Sequence, residues 1–281
     1  MVKFSHSLFA LPFALLATFL AARPALPTWS QLGLIVVSMV AARSAAMTFN
    51  RLADAVLDAA NPRTAGRPLP RGRISRGAAW VFFAISGLVF LLGCGGFLAL
   101  HDNPWPLRLG LPVLVLLCAY SYAKRFTSWS HVILGAGIAC APVAAWIAIQ
   151  PETVGTPAAL LFAAVASWIG GFDLIYACQD IEFDRQAGLF SVPARLGSAA
   201  ALWLARGFHT VTFAALIGVG LTARLGAIYY TGVGCVAILL IVENAIVSPR
   251  DLSRVNVAFF TINGVVGLIL GILGVLDVVL T

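Results

Sequence analysis

The sequence predicts an all-α protein: a polytopic membrane bundle of nine transmembrane helices, with residues 1–281 forming a single domain. Three observations lead there. Of the 281 residues, 60% are hydrophobic and only 10% are charged, whereas a soluble domain carries about 25% charged residues. The mean hydropathy of +0.96 is too high for a fold that must face water and suits one solvated by lipid. The basic residues fall mainly in short connections between apolar stretches, so the net charge of +7 reads as a topology signal and not as a nucleic-acid surface.

Nine stretches approach the ~20 apolar residues a spanning helix needs: 7–22, 29–49, 76–100, 107–122, 131–149, 157–178, 198–221, 226–247 and 255–279. The first is short and contains Pro12. With Lys3 ahead of it and Ala21 and Ala22 at its end it also fits a signal peptide, but eight more spans follow and it reads better as the first helix. With Lys3 and the N-terminus in the cytoplasm, cytoplasmic segments hold twelve of the 18 Lys and Arg residues, while Arg23, Arg108 and Arg224 face outward with the C-terminus. That bias sets the orientation, and a multi-pass protein of a bacterial inner (cytoplasmic) membrane is expected.

The longest polar connection, about 50–75, is broken by Asn61-Pro62 and by Pro68-Leu69-Pro70. Gly264, Gly267, Gly271 and Gly274 in the last span predict close helix contact. The five cysteines are widely spaced, form no CxxC pair and read as buried small hydrophobes. The four histidines are scattered, which argues against a histidine metal site.

Six of the eleven acidic residues lie in two short windows. Ionisable groups at membrane depth are costly and are retained for function. In the first window Asn50, Asp54 and Asp58 recur every four residues, each step turning a helix by a net of about 40°, so they share a face. In the second, Asp180 and Asp184 lie about −20° and +20° from Asp173, and Glu182 points about 180° away. Spans two and six run in the same direction, so both faces lie at similar depth on the cytoplasmic side. Carboxylates brought together repel unless cations neutralise them. Oxygen-only ligands suit Mg²⁺, which binds through one or two carboxylates plus phosphate oxygens. Arg63 and Arg67 follow the first window, and Lys124 and Arg125 follow span four. Guanidinium forks match phosphate oxygens. Together these residues predict a Mg²⁺–diphosphate site with Asp54, Asp58, Asp173 and Asp180 at its catalytic centre and Asn50 and Asp184 as further ligands. Either acidic window alone would also serve a cation-coupled transporter, although such proteins keep their carboxylates near the midplane.

At these residues the chain resembles the UbiA prenyltransferase superfamily. Asn50, Asp54 and Asp58 match its first motif, Asp173, Tyr176, Asp180 and Asp184 its second, and Tyr120 to Arg125 its basic loop after the fourth helix. The stretch from Asn61 to Pro70 is similar too. Arg51 stands where many members have Asp, as in a subgroup resembling 4-hydroxybenzoate polyprenyltransferases. The resemblance implies transfer of a polyprenyl group from polyprenyl diphosphate to an aromatic acid, either 4-hydroxybenzoate for ubiquinone or a dihydroxynaphthoate for menaquinone. Sibling reactions use haem, chlorophyllide or a glycerol phosphate as acceptor. The family pattern places Asn50 and Arg43 at the acceptor end, with Tyr176 in the substrate site. Arg43 lies about 20° from Asn50 on the same helix face, one to two turns deeper, where it would bind the acceptor carboxylate.

Overall fold

The computed structural model describes residues 9–281. Lys3, His6 and the first two residues of the predicted 7–22 span lie outside the described residues. Among those described there is no β-strand, and eight helices are long and apolar enough to cross a membrane. A ninth apolar helix, α1 (Leu11–Ala22), shows 12 residues.

Chain chemistry sets the ends of the helices. Helix α2 (Trp29–Ala53) starts on a capping box in which Gln31 N–H donates to Thr28 Oγ1 at 3.3 Å and Thr28 N–H to Gln31 Oε1 at 2.8 Å. Ser75 caps α4 (Arg76–His101), and Ser191 caps α9 (Val192–Thr222), each accepting from a backbone N–H three residues on. Helix α5 (Trp105–Ala119) tightens into a 3-10 turn over Tyr120–Arg125. After α6 (Ser130–Ile149) comes α7 (Thr156–Ala177), the most enclosed helix, buried along most of its length against α6 and α9. Helix α10 (Ala227–Ala245) leads to a π-helical turn, Val257–Ile262, that opens α11 (Asn263–Leu280).

Lipid tails are as apolar as leucine, so packed contacts rather than burial from water hold such a bundle together. Small residues make this possible. A Cβ on Gly135 would strike the carbonyl of Ala166, so α6 and α7 touch backbone to backbone there. Gly271 and Gly274 seat α11 against Pro12 and Leu16 of α1, as the glycine pattern predicts, while Gly264 faces open space. At the centre Trp168 is fully buried against Phe13 and Phe172. Its indole N–H donates to Asn263 Oδ1 at 2.6 Å, and Asn263 Nδ2 donates onward to Glu243 Oε1 at 2.7 Å and to Ala258 O at 2.9 Å.

Two local departures from the sequence reading matter for the site. Neither acidic window lies on one unbroken helix. Helix α2 ends at Ala53, Asp54 leaves helical geometry at φ −96°, ψ 10°, and a short α3 (Ala55–Ala60) follows. The backbone pattern nevertheless carries through, with Asp54 N–H bonded to Asn50 O at 2.9 Å and Asp58 N–H to Asp54 O at 2.7 Å. In the second window α7 gives way to a 3-10 turn over Cys178–Asp180 before α8 (Ile181–Gln186). At about three residues per turn, that segment rotates Asp180 and Asp184 relative to Asp173.

Candidate active site

The bundle surrounds a chamber of about 730 Å³ lined mostly by apolar side chains of α2, α4, α5, α6 and α7. At the end where α2 and α7 break, it adjoins a smaller polar cavity of about 230 Å³. Asn50, Arg51, Arg63, Arg67, Tyr120, Asp173 and Tyr176 line both, so the two spaces meet at these residues. The sequence-predicted residues divide between them. Asn50, Asp54, Asp58, Arg63, Arg67, Lys124, Asp173, Tyr176, Asp180 and Asp184 line the polar cavity, and Arg43 lines only the large chamber. Arg125 stands behind the polar cavity, donating to Ala53 O at 2.7 Å and stacking on Tyr122. Glu182 points out to solvent and pairs with Arg185, in keeping with its expected direction.

Three aspartates are matched with cations. Asp54, 3% exposed, takes Lys124 Nζ at 3.0 Å and Arg125 Nη2 at 3.3 Å, and accepts from Asn50 Nδ2 at 3.3 Å. Asp58 takes Arg67 Nη1 at 2.5 Å, and its other oxygen lies 3.7 Å from Arg51 Nη1. Asp180 receives a two-pronged contact from Arg63, with Nε at 2.8 Å from Oδ1 and Nη2 against Oδ2. Arg63 Nη1 also donates to Tyr176 Oη at 2.8 Å. Burial alone would lower the Arg63 pKa, but the hydrogen bond and charge of Asp180 outweigh it and raise the value, so this loop arginine stays cationic. Asn61 fastens the loop from within: its amide donates to Asp180 Oδ1 at 3.0 Å, and its carbonyl oxygen accepts from Arg63 N–H at 2.9 Å. Asp184 is oriented by Ser191 Oγ at 2.8 Å, the same hydroxyl that caps α9.

Asp173 differs. No Lys or Arg pairs with it among the described residues, and its partner is His131 Nδ1 at 2.7 Å. Arg43 is the reverse case, a cation with no carboxylate paired to it among the described residues: its Nε is buried with no hydrogen-bond partner among them, while the side chain lines the chamber.

The donor set fits a hard cation. Asp58 Oδ2 is buried without a hydrogen bond. Among the described residues no three His, Cys, Asp or Glu side chains form a ready-made metal cage. The carboxylates instead flank a cavity as separate pairs, the arrangement suited to Mg²⁺ completed by phosphate oxygens.

The sequence reading missed four residues. Asn61 lies in the loop that resembles the family, where Asn61-Pro62 signals only a helix break, and the fold gives it Asp180 and the Arg63 N–H as partners. Arg51 was noted as a motif departure, and the fold gives it Asp58 as partner. Tyr120 shows itself only as a wall shared by both cavities. His131 carries no signal among scattered histidines, and only the contact of α6 with α7 brings it to Asp173.

Membrane-length helices around an apolar chamber, with one end closed by carboxylates and guanidinium groups, define an intramembrane transferase. The chain belongs to the UbiA prenyltransferase family, whose model matches residues 10–265. It is 33% identical over 253 residues to a 4-hydroxybenzoate octaprenyltransferase of Aliivibrio fischeri, covering 90% of this chain and 85% of that one. It is 31% identical over 195 residues, 69% of this chain, to a mitochondrial 4-hydroxybenzoate polyprenyltransferase of Aedes aegypti, and there spans 43% of the relative's length. Among solved structures, a UbiA homolog from Aeropyrum pernix K1 aligns over 99% of both chains with TM-score 0.88 and 31% identity. A UbiA homolog from Archaeoglobus fulgidus bound to DMAPP and Mg²⁺ shares the fold, with TM-score 0.72 and 20% identity over 98% of this chain and 96% of that one. Family membership sets aside the cation-coupled transporter.

Proposed function

We propose that this protein transfers a polyprenyl group from polyprenyl diphosphate to a 4-hydroxybenzoate-like aromatic acid in quinone biosynthesis, with Mg²⁺ as cofactor. One observation carries the reading: the charged cavity opens directly into the apolar chamber. A prenyl diphosphate has the same polarity, with a charged head and a long hydrocarbon tail. In this reading Asp54, Asp58, Asp180 and Asp184 hold Mg²⁺, with Asn50 beside Asp54. When bound, Mg²⁺ neutralises charge developing on the departing diphosphate. Arg63, Arg67, Lys124 and Arg125 now rest on aspartates and would transfer part of their hydrogen bonding to phosphate oxygens. The apolar wall keeps water from the allylic carbocation until the aromatic ring attacks it.

The finer points belong to the same proposal. The apolar helix α1, Leu11–Ala22, lies within the 7–22 stretch and supports a ninth span there. The bias of Lys and Arg supports a charged cavity at the cytoplasmic face with the N-terminus on that side, and the membrane in this reading is a bacterial inner membrane.

Arg43 is the acceptor residue in this scheme. It lines the chamber but not the charged cavity that holds Asp54, Asp58, Asp180 and Asp184, and no acidic residue pairs with it among the described residues. A charge-assisted hydrogen bond to a carboxylate contributes about 1.5–3 kcal/mol. Arg43→Ala is therefore expected to raise the acceptor KM by about ten- to a hundredfold, leaving the prenyl-diphosphate KM nearly unchanged. Equal losses for both substrates would make Arg43 a structural or diphosphate residue.

The experiment that tests the function is turnover by protein purified in detergent, given a prenyl diphosphate and a mixture of 4-hydroxybenzoate and 1,4-dihydroxy-2-naphthoate. Mg²⁺-dependent release of diphosphate with prenylation of the benzoate is expected. Product from the naphthoate alone would move the assignment to the menaquinone acceptor, and no product from either would overturn the aromatic-acid reading.

A further inference from the structure

We infer that Asp173, held by His131, is the subsite for the ring hydroxyl of the acceptor, not a ligand of the metal. The inference deepens the aromatic-acid reading and rests on it.

Asp173 stands at the seam where the charged cavity and the apolar chamber meet, and lines both. An aromatic ring must lie at that seam to reach the allylic carbon of a prenyl group whose diphosphate occupies the charged side. The carboxylate keeps 22% of its side chain exposed there. Asp54, Asp58 and Asp180 each carry a Lys or Arg, a pairing suited to groups that exchange cations for metal and phosphate. Among the described residues Asp173 carries none, and neither does Asp184. Asp184, however, lines only the charged cavity and is held by the Ser191 hydroxyl, whereas Asp173 faces both spaces and is held by an imidazole. The one hydrogen bond to Asp173 among the described residues is from His131, made through Oδ2 at 2.7 Å. A carboxylate can only accept, so Nδ1 of the imidazole donates. Oδ1 is left to accept from a ligand.

His131 is built in to hold this geometry. It is 4% exposed and sits at the start of α6. Gly135, one turn further on, brings the α6 backbone against α7, the helix that carries Asp173. The ring therefore has little freedom, and the carboxylate it binds keeps a fixed direction. Among the described residues its Nε2 is buried without a partner, a cost that folding alone gives no reason to keep. His131 is thus a positioning residue, and Asp173 is the group that touches the substrate.

The chemistry matches the acceptor class. In a hydroxyaryl acid the carboxylate and the hydroxyl lie at separate points on the ring, calling for a cation at one end and a hydrogen-bond acceptor at the other. Arg43 supplies the first and Asp173 the second. A hydrogen bond from the hydroxyl to a carboxylate pushes electron density into the ring and raises the nucleophilicity of the carbon beside the hydroxyl. An aromatic acid without the hydroxyl gains nothing from Asp173.

The test compares hydroxylated and plain acids as ligands. For wild type, His131→Leu, His131→Asn and Asp173→Asn, binding of 4-hydroxybenzoate and of benzoate is measured in detergent, together with kcat and both KM values. The naphthoate pair, 1,4-dihydroxy-2-naphthoate and 2-naphthoate, is used if wild type turns over only the former. Wild type should favour the hydroxylated acid, and His131→Leu should erase about ten- to a hundredfold of that preference while benzoate binds as before. kcat should fall with it, and the prenyl-diphosphate KM and Mg²⁺ requirement should not move. His131→Asn, whose amide can donate in place of Nδ1, should restore most of the preference, and Asp173→Asn should lose it. Unchanged benzoate binding also confirms that a variant is folded. Equal weakening of both acids, or a rise in Mg²⁺ requirement or prenyl-diphosphate KM in Asp173→Asn, overturns the inference and leaves the aromatic-acid function standing. Absence of any aromatic turnover by wild type overturns both.

Discussion

Asp180→Ala is expected to lower turnover by about a hundred- to ten-thousandfold at saturating substrate and Mg²⁺, with the protein still inserted and folded. Stabilisation of a leaving group by a metal and its ligands is worth several kcal/mol, and each 1.36 kcal/mol is tenfold in rate. The structure adds a second reason. Asp180 organises the charged cavity from one point, receiving the Arg63 fork and the Asn61 amide together. Its removal releases the 61–75 loop from the second acidic window and frees a guanidinium that was fixed in direction. Asp54→Ala and Asp58→Ala should show losses of the same order, since each strips a carboxylate from between cations. Mg²⁺-dependent diphosphate release per folded molecule is the measurement. Near-normal release by Asp180→Ala at low Mg²⁺ would remove this carboxylate from the reaction.

Trp168→Ala should give the largest loss of stability in the chain. The indole is fully buried, its ring lies against Phe13 and Phe172, and its N–H holds Asn263. Truncation leaves a cavity that lipid cannot fill and costs about 3 kcal/mol or more. In a bilayer or micelle the loss is mainly one of packed contacts, because the unfolded reference is not water. A fall of about 5–15 °C in Tm in detergent is expected. Trp168→Phe separates the two parts of the effect, since it keeps most of the ring contact and deletes the hydrogen bond to Asn263, the residue that also joins Glu243 and the π-helical turn. A change below about 2 °C for Trp168→Ala would mean that this core repacks freely.

How far the site is legible in the sequence varies with the kind of contact. Asn50, Asp54 and Asp58 were readable as one face because local helix periodicity relates them, and the break at Asp54 keeps the hydrogen-bond pattern running from Asn50 to Asp58. Asp173 and Asp180 are related by the same arithmetic only approximately, because the chain tightens to a 3-10 turn between them. Which cation meets which aspartate was not readable at all. Arg63 and Asp180 are 117 positions apart, and Lys124 and Asp54 are 70. No periodicity spans such distances. His131 is the sharpest case: as a lone histidine in an apolar span it carries no signal until α6 meets α7.

By itself, the sequence determined that the chain is a membrane-spanning helical protein, that two acidic windows lie at one end of it, and that basic loops stand beside them. Those properties are local: hydropathy over some twenty residues, charge in short connections, and side-chain direction along one helix. The tertiary structure alone decided the rest. It joined a charged cavity to an apolar chamber, matched Asp54, Asp58 and Asp180 with their cations, left Arg43 without a carboxylate among the described residues, and set His131 behind Asp173. Each of these follows from how separate helices pack, and helix contact depends on close shape fit at positions such as Gly135 rather than on any pattern repeated along the chain.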